Sequence, residues 1–292
     1  MKKSAFVAVV GRPSAGKSTL INQICGQKVS IVSAVPQTTR NAIRGIYNGN
    51  NGQLVFIDTP GRYISEKKSN LKLKDISEKA VNESDIILYV LDASRAPGCE
   101  ETEIASLLAV HAGRITVAVN KTDLLDLKTR NDVCRSLSEF LNSNICGFRI
   151  DRCFYISAKN NEGIEPLLTS LFDLAPEGEP FYGEEFYTDQ EVDFRISEII
   201  REQAINRLRQ ELPHSIYVKV ADTSFTGASS PDKSPKLLVR AFILVERESQ
   251  IGIVVGKGGS MIKAIRLASL REMDKIFDWK IDLDLRVKIN GK

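Results

Sequence analysis

The run Gly11-Arg12-Pro13-Ser14-Ala15-Gly16-Lys17-Ser18 places two glycines, a lysine and a hydroxyl at the spacing of a phosphate-binding loop. Such a loop turns successive backbone N–H groups toward phosphate oxygens, and a helix starting at its end adds a favourable dipole. In that reading Lys17 reaches the β- and γ-phosphates and Ser18 ligates Mg²⁺. Thr19 belongs to the same nucleotide-binding run.

Three further groups follow in order. Asp58-Thr59-Pro60-Gly61 closes an apolar run. An aspartate there lies near the metal, and Gly61 leaves its N–H free to meet a γ-phosphate. Asn120-Lys121-Thr122-Asp123 then names the base. Its carboxylate can accept from N1–H and the 2-amino group of guanine, whereas adenine would leave it unpaired at a cost of about 1–3 kcal/mol. Lys121 can lie along the base plane, and Ser157-Ala158-Lys159 offers a backbone N–H to guanine O6. Between the first two groups, Ser33–Arg40 carries a threonine to ligate Mg²⁺ and sense the γ-phosphate. Thr39, beside Arg40, is preferred to Thr38. Hydrolysis would come from Lys17, Thr39, Gly61 and the metal acting on a water by positioning and electrostatics. His111 and His214 lie in no nucleotide motif; His111 reads as a helix end before Gly113, and His214 as part of a turn.

A second cluster, Gly256-Lys257-Gly258-Gly259-Ser260 with Lys263 and Arg266 beyond it, joins two helical patterns. A Gly-x-x-Gly loop between helices admits a nucleic-acid backbone closely, and apolar neighbours receive unstacked bases. A second phosphate loop would need a preceding strand and a Lys-Ser/Thr pair, and has neither.

These residues need elements to position them. Strand-like runs at Ala5–Val10, Gly45–Tyr47, Leu54–Ile57, Ile86–Leu91, Ile115–Val119 and Cys153–Ile156 alternate with helical patterns at 17–25, 75–82, 100–111, 131–142 and 163–173. That alternation predicts an α/β domain of P-loop, Ras-like type over 1–174, with a mostly parallel sheet. Two prolines and two glycines mark a linker at 175–189. An α+β domain is expected over 190–292: one long helix at 190–211 ended by Pro213, strands Ile216–Val220 and Leu237–Val245, a short helix near 249–254, a helix at 260–277 and a strand at 281–289. The order α-β-β-α-α-β is that of a type II KH module. Thr223–Pro235 reads as a surface loop.

Composition agrees with a two-domain globular chain. Hydrophobic residues make 42% and charged ones 26% of 292. Residues 1–194 carry 22 Lys/Arg against 25 Asp/Glu, and 195–292 carry 18 against 12, so the second module is the basic one and faces a polyanion. The five cysteines, all in the first domain, have no metal spacing and read as buried thiols of a reducing compartment. Met1-Lys2-Lys3 before an apolar run imitates a signal peptide, but the run stops at Gly11 without a cleavage site. No run approaches a membrane span, so the expected location is cytoplasmic or peripheral to a membrane.

With both modules in place the chain resembles the Era family of bacterial GTPases over nearly its whole length. Gln37-Thr38-Thr39-Arg40, Thr188-Asp189-Gln190, Ile200-Arg201-Glu202, Glu211-Leu212-Pro213-His214-Ser215, Val245-Glu246-Arg247-Glu248-Ser249-Gln250 and Ile262-Lys263 match the family pattern. The resemblance implies a monomeric GTP/GDP switch whose KH module binds the 3′ region of 16S rRNA and assists assembly of the 30S subunit, with peripheral inner-membrane association. It also implies K⁺ against the phosphates, a role that family Asn-Val loops support. Ser14-Ala15 stands there instead, so the potassium site is left open. Arg62 follows Gly61 where the family carries an apolar residue, and an exposed side chain is preferred to a phosphate contact. The end at Lys292 is shorter than the usual lysine-rich tail. An RNA-binding scaffold holding GTP only as a structural ligand, or another translation-associated GTPase, is the rival reading.

Overall fold

The computed structural model describes residues 2–33, 35, 38–61, 68–209, 212–226 and 235–290. Gln37, Arg62 and the tip of the 223–235 stretch lie outside them. The chain divides into two compact units, Met1–Ser30 with Pro36–Asp189, and Ile31–Val35 with Gln190–Lys292. No helix among the described residues is long and apolar enough to cross a membrane.

The first unit is built on strands β1 (Lys3–Val10), β2 (Ile43–Gly49), β3 (Gly52–Asp58), β4 (Ile86–Asp92), β5 (Ile115–Asn120) and β6 (Cys153–Tyr155), in the order β2-β3-β1-β4-β5-β6. β2 runs antiparallel to β3 and the remaining pairs are parallel. Every residue of β3, β4 and β5 is buried, the consequence of a parallel sheet covered on both faces. Helices α1 (Lys17–Cys25), α2 (Lys68–Glu83), α3 (Cys99–Leu108), α4 (Leu127–Asn144) and α5 (Ile164–Leu174) complete the unit. The carboxyl ends of β1, β3, β5 and β6 therefore open into the four motif loops, the usual place for a ligand crevice in such a sheet.

The 175–189 segment is fastened along the edge of this sheet. The buried Gln53 side chain accepts from the N–H groups of Phe181 (2.8 Å) and Tyr182 (3.0 Å) and donates to the Tyr182 carbonyl (2.9 Å). Phe181 packs on Phe6 with ring centroids 4.4 Å apart. The Ile46 N–H donates to the Tyr187 carbonyl, Thr188 Oγ1 to the Arg44 carbonyl, and Arg44 pairs with Asp189 at 2.6 Å. Edge strand β2 thus spends its outer hydrogen bonds internally.

The second unit contains α6 (Val192–Ile205), α7 (Leu212–Ser215), β7 (Tyr217–Thr226), β8 (Lys236–Val245), α8 (Glu248–Val255), α9 (Ser260–Met273) and β9 (Lys280–Ile289). β8 pairs antiparallel with β7 and parallel with β9. The expected single helix over 190–211 is shorter: α6 ends at Ile205 with Asn206 at its C-cap. Leu208 still reaches the core from the following turn, so the apolar periodicity outlasts the helix. Pro213 opens no terminus of α6; it sits in α7, where a first-turn proline loses no helical hydrogen bond. His214 shares that turn. β7 continues through Thr226, past the expected loop start, across an irregularity between Val220 and Asp222. The helix expected to reach 277 stops at Met273, and Phe277 enters the core from the turn beyond it.

Ile31–Val35 joins this second unit. The buried Glu202 carboxylate on α6 accepts from the Val32 N–H (2.9 Å), Ser33 Oγ donates to Asn206 Oδ1 (2.7 Å), and Val35 packs on the second core. The thiols are less buried than expected: Cys99 and Cys146 are exposed because they lie in the first turn of α3 and in the loop after α4, and the other three are half-buried. Burial pushes the Cys25 thiol up to about 12.

Candidate nucleotide site and nucleic-acid interface

The loop from Gly11 to Gly16 joins β1 to α1, as a phosphate loop must. Gly16 is left-handed (φ 94°), and a Cβ there would collide with Asn120 Nδ2. Ser14 also adopts a left-handed backbone (φ 62°), a conformation Asn takes more readily than Ser. Ala15 is buried. Lys17 is buried, and its ammonium donates to the carbonyls of Gly11 (2.9 Å) and Arg12 (3.0 Å). Burial draws it down to about 8, against the raising charges of Asp58 and Glu100.

Ser18, Thr39 and Asp58 converge. Ser18 Oγ donates to Asp58 Oδ2 at 2.7 Å, Thr39 Oγ1 lies 3.1 Å from Ser18 Oγ, and it reaches Asp58 Oδ2 at 3.4 Å. Asp58 Oδ1 is buried with no hydrogen-bond partner. Burial raises the Asp58 carboxyl above its ordinary range, opposed by Lys17 and the hydroxyls. One carboxylate and two hydroxyls form a hard oxygen set that suits Mg²⁺, and the orphaned oxygen fits a ligand. Thr59 Oγ1 donates to the Val9 carbonyl and the Pro60 carbonyl accepts from Ser77, which fixes the turn after β3. A Cβ on Gly61 would lie 2.6 Å from Pro13 Cα, so this turn abuts the phosphate loop and admits only glycine.

Asn120 fastens the base-side loops. Its Nδ2 donates to the Ala15 carbonyl (2.9 Å) and its Oδ1 accepts the Ala158 N–H (2.9 Å). The O6 donor expected from this turn is then either a shared Ala158 N–H or that of Lys159. Asp123 Oδ1 accepts from Ser157 Oγ at 2.7 Å, which orients the carboxylate. Sequence reasoning missed Asp92 and Glu101: Lys121 pairs with Asp92 at 2.7 Å and Arg12 with Glu101 at 2.8 Å. The only signal for Asp92 was an acidic residue ending an otherwise apolar strand, and Glu101, in the first turn of α3, carried none. His111 lies in the turn after α3, with Nδ1 3.0 Å from Arg114 Nη2 and away from every motif.

In the second unit the Gly256–Gly259 loop links α8 to α9. Gly256 (φ 74°) has no room for a side chain, because a Cβ would sit 2.7 Å from that of Met261. A Cβ on Gly258 or Gly259 would meet nothing, so that part of the loop faces open space. Lys257, Ser260 and Lys263 are exposed beside it. Arg266 is engaged elsewhere, donating to the Leu283 carbonyl and pairing with Asp282 at 3.2 Å. Ile253 and Leu267 are exposed apolar residues of α8 and α9, the two helices that flank this loop.

Comparison with known proteins fits both units. Residues 6–121 match the model of the 50S ribosome-binding GTPase family and residues 211–292 that of the KH domain. The chain is 49% identical to GTPase Era of Treponema denticola over 287 residues, covering 98% of this chain and 94% of the relative. It is 42% identical to GTPase Era of Borreliella burgdorferi, with the same coverage. Among solved structures, Era in complex with MgGDPNP and nucleotides 1506–1542 of 16S ribosomal RNA superposes with a TM-score of 0.91 at 30% identity, covering 100% of this chain and 95% of that one. Era of Aquifex aeolicus bound to GDP·AlF₄⁻ also gives 0.91, at 30% identity over 99% of this chain and 95% of its own. A GTPase-family match over the first unit and a KH match over the second, with relatives of this identity across the full length, make this protein a GTPase of the Era family.

Proposed function

We propose that the chain binds GTP with Mg²⁺, hydrolyses it, and uses its nucleotide state to govern how the KH module holds the 3′ region of 16S rRNA during 30S subunit assembly. The observation that carries the nucleotide part is the convergence of Ser18, Thr39 and Asp58 within 3.4 Å at the mouth of the phosphate loop. The solved Era complex with an rRNA fragment supports the RNA part. Gly11, Arg12, Pro13, Ser14, Ala15, Gly16, Lys17, Ser18 and Thr19 would wrap the phosphates. Asp58, Thr59, Pro60 and Gly61 would meet the γ-phosphate, and Asn120, Lys121, Asp123 and 157–159 the base. Mg²⁺ would be held by Ser18, Thr39 and Asp58 and would supply charge neutralisation at the β- and γ-oxygens. Lys17 bears on the same oxygens, Thr39 and Gly61 position the attacking water, and no side-chain general base is needed. Whether K⁺ joins them depends on Ser14. Monomeric state and a cytoplasmic location with peripheral inner-membrane association belong to the same reading.

For the RNA site, Gly256, Lys257, Gly258, Gly259, Ser260 and Lys263 would clamp the backbone while Ile253 and Leu267 line the base groove. Replacing Lys257 and Gly258 together by Asp is expected to weaken binding of a 16S 3′-end oligonucleotide by about tenfold or more at moderate salt, and to flatten the salt dependence by about one charge per lost phosphate contact. GTP affinity should be unchanged. Filter binding across a salt series checks this; retained RNA affinity would remove the KH assignment. Multiple-turnover GTPase assays with and without that RNA separate a switch from a scaffold that holds GTP only structurally.

A further inference from the structure

Lys121, in the guanine-reading loop, has a left-handed backbone (φ 67°), which costs a non-glycine residue free energy and persists only where surroundings enforce it. Its side chain is held by Asp92, which is itself fixed. Its ammonium lies 2.7 Å from Asp92 Oδ2. Asp92 and Asn120 are register partners at the ends of β4 and β5, and the Ala93 N–H donates to the Asn120 carbonyl at 2.9 Å. Asp92 has a side chain only 1% exposed and is fixed from its other oxygen, which accepts from Ser94 Oγ (2.6 Å) and the Ser94 N–H (3.0 Å). The same Oδ2 lies 3.7 Å from Arg12 Nη2 of the phosphate loop, and Arg12 is in turn held by Glu101 on α3. Glu101 is anchored by the Gly98 N–H donating to its Oε2 at 2.8 Å. One buried carboxylate oxygen thus stands between a cation of the phosphate loop and a cation of the base loop.

We infer that Asp92 is a positioning residue for nucleotide binding: it fixes the Lys121 side chain for the guanine base and ties that loop to Arg12 of the phosphate loop. Asp92 need not touch nucleotide; it acts through Lys121. An ion pair this buried binds its partners in one arrangement, because removing one member leaves an uncompensated charge. The inference rests on the GTP reading above, and wild-type binding of a fluorescent GTP analogue, in the same assay, tests that reading separately.

The experiment is a double-mutant cycle on the full chain with Asp92→Asn and Lys121→Met. Asp92→Asn retains an oxygen for Ser94 and removes the charge that faces Lys121 at 2.7 Å and Arg12 at 3.7 Å. Each single variant is expected to raise the GTP dissociation constant and KM by about tenfold, with kcat for Asp92→Asn within about twofold of wild type. The double variant should bind no worse than Lys121→Met alone, since a residue acting through Lys121 has nothing left to lose. Asp92→Glu should recover part of the affinity. Additive losses, or a fall in kcat with KM unchanged, would overturn the assignment. If Asp92→Asn does not fold because Arg12 keeps a surplus charge, Arg12→Gln/Asp92→Asn is compared with Arg12→Gln. A further tenfold loss of GTP affinity supports the role, and equal affinity rejects it.

Discussion

Lys17→Met is expected to lower GTP turnover by about a hundredfold or more while making the nucleotide-free protein more stable. The first effect follows from removing a preorganised positive charge at the β- and γ-oxygens, where loss of a single donor costs about two to three orders of magnitude. The second follows from burial. The ammonium sits inside the phosphate loop and donates to the carbonyl oxygens of Gly11 and Arg12, and its pKa falls from 10.5 to about 8. That difference corresponds to about 3 kcal/mol against the charged form at neutral pH. Part of it is offset in the variant by two carbonyls left unpaired, so a net gain of about 1–2 kcal/mol is expected. The sign with pH is fixed. The unfolded chain keeps the Lys17 proton up to about 10.5 and the folded one only to about 8, so the folded state binds fewer protons in that window. Stability of the nucleotide-free wild type should therefore gain from this group as pH rises from about 8 to 10.5. Thermal melts of wild type and variant across that range measure the difference, which should shrink as pH rises. Undiminished turnover would remove the hydrolase reading, and a difference independent of pH would remove the buried-charge account.

Asp123→Asn should weaken GTP binding by about 10- to 100-fold and strengthen binding of xanthosine triphosphate relative to it. In the proposed site the carboxylate would accept two guanine N–H groups, and an amide can accept only one while offering a donor, which suits a 2-oxo group instead. The range follows from about 1.5–3 kcal/mol for hydrogen bonds to a charged group. Asn retains an oxygen for Ser157 Oγ, now 2.7 Å from Asp123 Oδ1, so the loop should keep its shape. Competition of XTP and GTP against a fluorescent analogue reads the change; unaltered preference would place base recognition elsewhere.

Much of this arrangement was legible beforehand because phosphate and guanine recognition depend on backbone geometry at strand ends, and strand ends announce themselves. The glycines, Asp58 closing the apolar run Leu54–Ile57 and Asn120 closing the run Ile115–Val119 could be placed by pattern alone. The preference for Thr39 came from its neighbour Arg40, and the structure sets Thr39 against Ser18 and Asp58. Other features were not readable. Asp92 and Glu101 become meaningful only when β4, α3 and the phosphate loop are assembled, since their partners lie 29 and 89 residues away in the chain. The end of α6 was misjudged because an apolar repeat cannot distinguish a helix from a helix followed by a well-placed turn. The proline- and glycine-rich 175–189 segment reads as a linker, and the pattern does not show that the side chain of Gln53, together with Ile46 and Arg44, fastens it to the sheet.

Ile31–Val35, drawn from the first third of the chain into the second unit, has a consequence for cutting the molecule. A protease nick between Asp189 and Gln190 severs the backbone between the two folded bodies without freeing them. The amino-terminal piece still carries Val32 and Ser33, whose partners Glu202 and Asn206 are on the other piece. The pieces should co-elute on a sizing column after such a nick. A fragment beginning at Gln190, made alone, should melt lower than the same fragment supplied with a peptide spanning 29–36, because Glu202 would otherwise lose the Val32 N–H that it accepts. In a gene-fragment library, then, the smallest piece that behaves as the intact second unit is two pieces.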